Sequence, residues 1–98
     1  MIYAVFFQDD EAHAAQRAAH MQAHLTFLEK NSASIKAAGP LMDAEDGAAA
    51  GGLWLVQAPD KAHVRALVES DPFWPTGLRK SVRLLQWNQV FADGARRL

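Results

Sequence analysis

The sequence predicts an α+β domain with a ferredoxin-like βαββαβ fold, in which two helices cover one face of a four-stranded antiparallel sheet. Two observations support this prediction. The patterns follow in the order strand, helix, strand, strand, helix, strand, and two of the strands are apolar on both faces. The 98 residues suffice for one hydrophobic core and not for two. We therefore expect residues 1–98 to form a single domain.

The first strand and helix are predicted from hydrophobic periodicity. Residues 2–7 are aromatic and β-branched on both alternating faces, as in a central strand covered on both sides. A polar turn at residues 8–11 follows, and its carboxylates suit the positive end of a helix. That helix is expected from about Ala12 to Lys30, because apolar residues recur along one face. The residues of this predicted core face are Ala14, Ala18, Met21, Leu25 and Leu28.

The middle of the chain is predicted to form an edge strand, a loop and a second central strand. The strand at residues 35–42 contains Gly39-Pro40, and proline cannot donate to a sheet, so this strand should lie at an edge or break there. Residues 43–52 are rich in glycine and acids but lack the ligand spacing of an EF-hand, which favours a flexible hairpin connection. Residues 53–56 are again apolar on both faces, as in a second central strand.

The second helix is expected to begin at Pro59-Asp60, because both residues suit a first helical turn. Its core face continues to position 71, which holds Asp71 and not a hydrophobic residue. Pro72 disfavours helical geometry at the residue before it. Asp71 should therefore lie at the helix exit with its side chain directed to the interior.

The rest of the chain is predicted to contain an aromatic loop at residues 73–78 and the last strand at residues 82–91. Residues from about 93 to 98 are predicted to form a frayed tail.

Composition excludes several classes of function. The net charge is −1 with both signs interspersed, so we expect neither nucleic acid nor an anionic membrane as partner. The chain has no cysteine, which excludes a thiolate nucleophile, disulfides and cysteine-ligated metals. No apolar run approaches the ~18 residues of a spanning helix. The first apolar run lacks basic residues and soon meets Gln8-Asp9-Asp10, which predicts a soluble cytoplasmic protein without a leader.

The open face of the predicted sheet indicates a homodimer. Two helices cover only one face, and the central strands would leave a large apolar patch in water on the other. Burial of that face against the same face of a second copy, under two-fold symmetry, removes the patch. We expect a homodimer through the open sheet face.

Histidines follow one flank of the first helix, and His24 is the one nearest its apolar face. Histidine suits general acid or base chemistry, although a half-buried histidine is also a common structural residue. His20, turned further toward solvent, is spaced from His24 as in helical zinc sites. The intervening residues lack a glutamate and no third ligand is evident, so no metal site is expected.

Asp71 is the second candidate. On local grounds it can be a carboxylate that ends a helix or bonds to nearby backbone. An interior carboxylate, however, needs a partner, because an unpaired buried charge is unfavourable. His24 on the adjacent helix is the natural partner, and the carboxylate would orient the imidazole and increase its basicity.

Four short motifs in order resemble the YciI-like (YCII-related) family over nearly the whole chain. They are Ala23 to Leu28, Ala38 to Leu41, Asp71-Pro72-Phe73 with Gly77-Leu78, and Trp87 with Val90-Phe91. The resemblance implies a dimeric α+β barrel of ferredoxin-like subunits, related to muconolactone isomerases. It also implies a histidine–aspartate pair as the active site, which corresponds here to His24 and Asp71.

The resemblance further implies a reaction class, since the family includes dehydrochlorination of chlorinated hydroxyquinol intermediates. Two positions depart from the family's pattern. Members often carry arginine three residues before the histidine and a basic-proline pair before the final aromatic residue, and this chain has Met21 and Leu85-Gln86 there. Binding of an anionic substrate would therefore need Arg17, Arg79 or Arg83.

The favoured hypothesis is a small cofactor-free lyase or isomerase acting on an aromatic-derived or lactone-like metabolite, in which His24 moves a proton and Asp71 orients it. The residues expected to line its pocket are Gly39, Pro40, Phe73 and Trp87. One alternative is a non-catalytic dimer that binds a small ligand or a partner, with a purely structural pair. Another is a dimeric-barrel oxygenase or haem protein with His20 or His24 as ligand.

Overall fold

The computed structural model describes all residues 1–98, which form one main sheet with the helices on one face. The main strands are β1 (Ile2–Asp9), β2 (Ile35–Met42), β3 (Ala49–Gln57) and β4 (Arg79–Trp87), followed by the short strands β5 (Phe91–Ala92) and β6 (Ala95–Arg96). The helices are α1 (Ala15–Ala19), α2 (Met21–Lys30) and α3 (Lys61–Ser70), with single 3₁₀ turns at Glu11–His13 and Trp74–Thr76.

The main sheet is antiparallel throughout, with strand order β2-β3-β1-β4. The two central strands, β1 and β3, are the two that the sequence marks as apolar on both faces. Val5 of β1 lies between Trp54 of β3 and Leu84 of β4, which sets the register of the centre. The predicted ferredoxin-like fold is confirmed.

The core lies between this sheet and the helices. Tyr3, Val5 and Phe7 alternate along β1 and all face the helices, where each is buried. Val64 and Val68 of α3 pack on them, and both are almost completely buried. Full burial of one such side chain contributes about 1.5–3 kcal/mol, so this layer holds α3 on the sheet.

The predicted single helix over residues 12–30 is wrong in one respect, because it breaks at His20. His20 has φ −113° and ψ 9°, outside the helical region, and separates α1 from α2. The two halves are attached to different parts of the molecule. Arg17 of α1 bonds to Asp9 at the end of β1, whereas Phe27 of α2 packs on the core.

The break also changes which face of the helix is buried. Leu25, predicted in the core face, is 41% exposed, whereas His24 is 8% exposed and is the buried residue of α2. Phe27 and Leu28 pack beside it on the core. A prediction from ideal helical spacing misplaced this face, because the backbone leaves the helical region at His20 and the spacing is not continuous through that residue.

The edge strand and its connection agree with expectation. β2 lies at the edge of the sheet and carries Pro40, and its pairing with β3 shifts register beside that proline. β3 begins at Ala49, so the hairpin connection is shorter than predicted. It is closed by a hydrogen bond from the backbone N–H of Asp43 to the carbonyl of Ala48 (2.8 Å).

The C-terminal region differs from expectation. The last long strand is Arg79–Trp87 and not residues 82–91, because pairing with β1 continues through a bulge to Asp9. Residues 91–96, which include part of the predicted frayed tail, form the β5–β6 hairpin. Asp93 (φ 53°) and Gly94 (φ 74°) form its turn, and two positive φ values in succession are typical of tight hairpin turns.

Helix α3 has a well-defined start. Asp60 is its N-cap, and its carboxylate accepts hydrogen bonds from the backbone N–H of His63 (2.9 Å) and from the His63 ring (2.7 Å). These bonds lower the pKa of Asp60 below its usual value of 3.8, the ring contributing most. None of the three helices is long and apolar enough to cross a membrane.

This cap predicts a pH dependence of stability. Because the pKa of Asp60 is lower in the folded chain, the ionised cap stabilises the fold above about pH 4, and that contribution is lost as the pH falls through the folded-state pKa. Urea unfolding should show wild type more stable than Asp60→Asn at about pH 5, with an advantage that decreases as the pH is lowered below about 4. Glu45→Gln, which changes an exposed loop carboxylate, should show no such pH-dependent difference. A difference in the free energy of unfolding between wild type and Asp60→Asn that does not change with pH would contradict the role of the ionised cap.

Candidate active site

His24 is presented to the interior from the first turn of α2. Its backbone N–H bonds to the carbonyl of His20 (2.9 Å), and its ring stacks on Phe73 with centroids 4.1 Å apart and planes 14° apart. Trp54 of β3 lies beyond it, with ring centroids separated by 6.4 Å. The imidazole therefore lies near two aromatic side chains, and the stack on Phe73 restricts its rotation.

Asp71 lies at the exit of α3, as predicted. Its backbone is extended (φ −63°, ψ 132°), as expected before Pro72, and the residue is only 2% exposed. Its Oδ1 accepts a hydrogen bond from the backbone N–H of Phe73 (3.1 Å), a turn that fixes the carboxylate. The same turn positions the Phe73 ring against His24.

The two candidates are in direct contact. Nδ1 of His24 lies 2.8 Å from Oδ1 of Asp71. Oδ1 already accepts an N–H from the backbone, so a carboxylate at this place acts as an acceptor and Nδ1 as the donor. Nε2 of His24 has no hydrogen-bond partner in the chain and is not among the fully enclosed polar atoms. In a neutral imidazole with its proton on Nδ1, Nε2 is the acceptor nitrogen, and it is the one left free.

A cleft of about 160 Å³ adjoins His24 and lies between α2 and one end of the sheet. Its apolar side is formed by residues of α2, β2 and β3 and by one aromatic residue after α3, namely Met21, Leu25, Leu28, Ala38, Pro40, Trp54 and Phe73. Met21, Leu25 and Leu28, predicted as core, thus line a ligand-sized space. Its charged residues are Asp9, Arg17 and Arg79.

These charged residues form a chain of contacts that ends at the pair. Nη2 of Arg17 donates to Oδ2 of Asp9 (3.0 Å), and Nη1 of Arg79 donates to Oδ1 of the same carboxylate (3.1 Å). Nη2 of Arg79 in turn lies 3.6 Å from Oδ2 of Asp71. The hydrogen bond to Asp9 raises the pKa of Arg17, which keeps this guanidinium charged.

Asp9 was missed as a site residue, because the sequence suggested only a polar turn. The available signal was its place at the end of a central strand, immediately before the helix that carries the histidines. Of the three arginines considered, Arg17 and Arg79 line the cleft, whereas Arg83 lies opposite Phe6 on the face of the sheet without helices.

The predicted pocket residues divide into two groups. Gly39, Pro40 and Phe73 line the cleft beside His24, but Trp87 does not. β4 runs antiparallel to β1, so Trp87 at the end of β4 pairs with Ile2 at the start of β1, whereas the cleft lies at the other end of β1. The predicted place of Trp87 in this cleft is therefore wrong for the single chain.

The remaining histidines lie outside the cleft. His13 and His63 form exposed pairs with Asp10 (3.2 Å) and Asp60 (2.7 Å), and His20 is partly buried at the helix break. The backbone N–H of Ala12 and the His13 ring lower the pKa of Asp10. No group of three or more His, Asp and Glu side chains is arranged to hold a metal ion.

Fold and site together define a class of protein: a small ferredoxin-like α+β domain with a buried histidine–aspartate pair beside a cleft. The chain belongs to the family of YCII-related domains, whose model matches residues 1–88. The resemblance seen in the sequence motifs is thereby confirmed.

One solved structure supports the same assignment. The chain is similar to 5-chloro-2-hydroxyhydroquinone dehydrochlorinase (TftG) from Burkholderia phenoliruptrix AC1100, determined in complex with 2,5-dihydroxybenzoquinone. The TM-score is 0.78 and the sequence identity 27%, over 90% of this chain and 94% of that chain. A comparison with curated proteins finds no match.

Two glycines that line the cleft are predicted to differ in their tolerance of substitution by alanine. Gly51 has φ +91°, and a Cβ there would lie 2.0 Å from the carbonyl oxygen of Phe7, whereas a Cβ on Gly39 would meet nothing within 4 Å. Gly51→Ala should lower the free energy of unfolding by about 1–3 kcal/mol or more, because the alanine side chain would strain the backbone and clash with the Phe7 carbonyl. Gly39→Ala should stay within about 0.5 kcal/mol of wild type. Equal values in urea titrations would contradict the close approach of β3 to β1.

Proposed function

We propose that the protein is a small cofactor-free acid/base enzyme, a lyase or isomerase acting on an aromatic-derived metabolite, in which His24 moves a proton and Asp71 orients it. The observation that carries the proposal is the 2.8 Å contact between Nδ1 of His24 and Asp71, which leaves Nε2 free at the cleft. A neutral imidazole with its proton fixed on Nδ1 is a base at Nε2. The carboxylate stabilises the imidazolium that forms after proton transfer.

The size of the cleft supports a substrate with one ring. A cavity of roughly 150 Å³ is known to hold one benzene molecule, and the cleft here measures about 160 Å³. Its lining is mostly apolar with a few convergent polar groups, as is usual for small-molecule sites. The similar dehydrochlorinase binds a one-ring quinone, which agrees with this size.

Nε2 of His24 can act as the base in both an isomerase and a lyase reaction. Nε2 takes the proton from a ring hydroxyl, the oxygen's electron pair forms a carbonyl, and the ring carbon that bears a leaving group receives the proton. If this keto tautomer is released, the overall reaction is an isomerisation. Removal of a second hydroxyl proton then forms a second carbonyl, and the leaving group departs with its bonding electrons, so that a halogenated hydroquinone becomes a quinone plus acid. No oxidant is consumed, and one histidine that alternates between base and acid suffices.

A second candidate function is a non-catalytic ligand-binding dimer. It is favoured by one observation: the His24–Asp71 bond joins α2 to the exit of α3 and is nearly excluded from solvent. In that case the pair is a structural link, and a ligand binds in the cleft without being changed.

The two candidates are separated by turnover of 5-chloro-2-hydroxyhydroquinone, the compound for which the similar enzyme is named. We expect wild type to release chloride, measured with an ion-selective electrode. His24→Gln should reduce kcat/KM by about 10²–10⁴-fold because the base is lost. Asp71→Asn should reduce it by on the order of 10²-fold or more, since an amide can select the wrong imidazole tautomer.

His20→Gln is the matched control, because His20 does not line the cleft, and it should retain wild-type turnover. Wild-type rates in folded His24→Gln would contradict the proposed base. Binding of the compound to wild type without chloride release would instead favour the ligand-binding dimer.

We also propose that the protein is a homodimer formed through the sheet face opposite the helices. The register places a mostly apolar group of side chains on this face, with Arg83 beside Phe6. The apolar members are Ile2, Ala4, Phe6, Leu53, Leu55, Leu85 and Trp87. Phe6, Leu85 and Trp87 are 38–45% exposed in the single chain. A second copy that offers the same face would cover them, which would give the dimeric α+β barrel expected for this family.

The dimer predicts the effect of a charge at the centre of this face. Wild type should sediment at twice the 10.8 kDa of one chain, and Leu55→Asp should sediment as a folded monomer, because a buried carboxylate there would have only Ala4 and Ala37 as cross-strand neighbours. Ala66→Asp, on the exposed side of α3, should leave the dimer intact. A monomeric wild type in analytical ultracentrifugation at micromolar concentration would exclude this assembly.

A further inference from the structure

Arg79 is a buried charged group for which the proposed proton transfer has no direct use. It is the first residue of β4, and its side chain is only 8% exposed. Nη1 donates to Asp9 at 3.1 Å, and Nη2 lies 3.6 Å from Oδ2 of Asp71. The guanidinium therefore lies behind the carboxylate that orients His24.

Asp71 depends on this cation. Its Oδ2 is fully enclosed and has no hydrogen-bond partner, since the bonds from His24 and Phe73 both reach Oδ1. Apart from Arg79, no lysine or arginine nitrogen lies within 4.0 Å of the Asp71 carboxylate. Burial alone favours the neutral form of a carboxyl group, and a nearby positive charge opposes that tendency.

Arg79 is held in place largely by contacts without hydrogen-bond geometry. Its guanidinium carbon lies 4.0 Å from the centre of the Phe7 ring and 5.2 Å from that of Phe73, which is typical of cation–π packing. Its Nε has no hydrogen-bond partner. The position of the charge is therefore fixed by two rings and Asp9 before any substrate binds.

The charges that face His24 cancel. Asp9 and Asp71 are the carboxylates of the cleft and the pair, and Arg17 and Arg79 are the cations. Glu11, which bonds to Arg17 at 3.5 Å, is an exposed carboxylate outside the cleft. Protonation of the His24–Asp71 pair is therefore the only step that changes the local net charge. Without Arg79, the pair would lie in a negative surrounding and would retain a proton to higher pH, whichever of its two members carries it.

We propose that Arg79 is a positioning residue for the acid/base pair: its positive charge lies against the enclosed Oδ2 of Asp71 and stabilises the carboxylate that orients His24. This inference rests on the proposed acid/base role of His24, and it assigns Arg79 to the control of that role and not to contact with the substrate.

The test is an NMR titration of the histidine rings in the full chain without substrate, using ¹⁵N-labelled protein and His24→Gln to assign the His24 signals. In Arg79→Met, the midpoint of the His24 titration should rise by at least about one pH unit, because a charge within a few Å of the pair has been removed. Arg79→Lys restores the charge without the planar fork and should recover at least half of that change. If Arg79 acted only through the shape of its guanidinium, Arg79→Lys would not restore the His24 midpoint.

Two further variants serve as matched controls. Arg83→Met removes an arginine from the opposite face of the sheet and should leave the midpoint unchanged. Arg17→Met removes a cation that is bonded to Asp9 but not to Asp71, and should produce less than half of the change seen in Arg79→Met. An equal change in Arg17→Met, or an unchanged midpoint in folded Arg79→Met, would overturn the proposal.

Asp9→Asn provides the measurement if Arg79→Met does not fold. It removes a negative charge while Arg79 stays, so the His24 midpoint should fall, and a constant or raised midpoint would overturn the proposal. Because no substrate is present, these results do not depend on turnover. A failure of chloride release with a shifted midpoint would refute dehydrochlorination of this compound and leave the role of Arg79 intact, whereas turnover with an unchanged midpoint would refute the role of Arg79.

Discussion

The interaction on which this structure depends is the compensation of one buried carboxylate. Asp71 is 2% exposed, and a carboxylate at that depth needs hydrogen bonds and an opposite charge. It receives them from the His24 ring, the backbone of Phe73 and the guanidinium of Arg79. Loss of one partner of a buried ion pair typically costs about 3–5 kcal/mol. The start of α2, the exit of α3 and the start of β4 are therefore tied together at a single point.

The contacts that stabilise this point also restrict its chemistry. The bond to Asp71 and the stack on Phe73 define the orientation of the His24 ring and leave Nε2 as its free nitrogen. A structural link would be satisfied by these contacts alone. The fold in addition leaves Leu25 41% exposed and keeps apolar residues of α2 open toward the cleft. Such surface is unfavourable in water, and a mostly apolar cleft with a few polar groups is the usual arrangement of a small-molecule site.

Much of the fold could be predicted, because hydrophobic periodicity identifies β1 and β3 as the strands covered on both faces. Asp71 could be predicted for a related reason, since a charge stands where the period of α3 requires a hydrophobic residue. The break at His20 could not, because it accompanies contacts of α1 and α2 with different parts of the molecule. The place of Trp87 was also beyond the sequence, since it follows from the direction of β4 relative to the cleft.

The balance of charges in the cleft indicates which class of substrate the proposed site would favour. The position where family members often carry arginine holds Met21, an apolar part of the cleft wall, and the cations come from Arg17 and Arg79. Both are bonded to Asp9, and Arg79 also lies against Asp71, so two carboxylates offset the two cations. In the proposed reaction, transfer of a proton from a neutral ring hydroxyl to Nε2 of His24 would leave the net charge of the cleft unchanged, because the oxyanion and the imidazolium would form together. A site balanced in this way favours a neutral ring whose charge appears only during the reaction, next to the cation that forms with it.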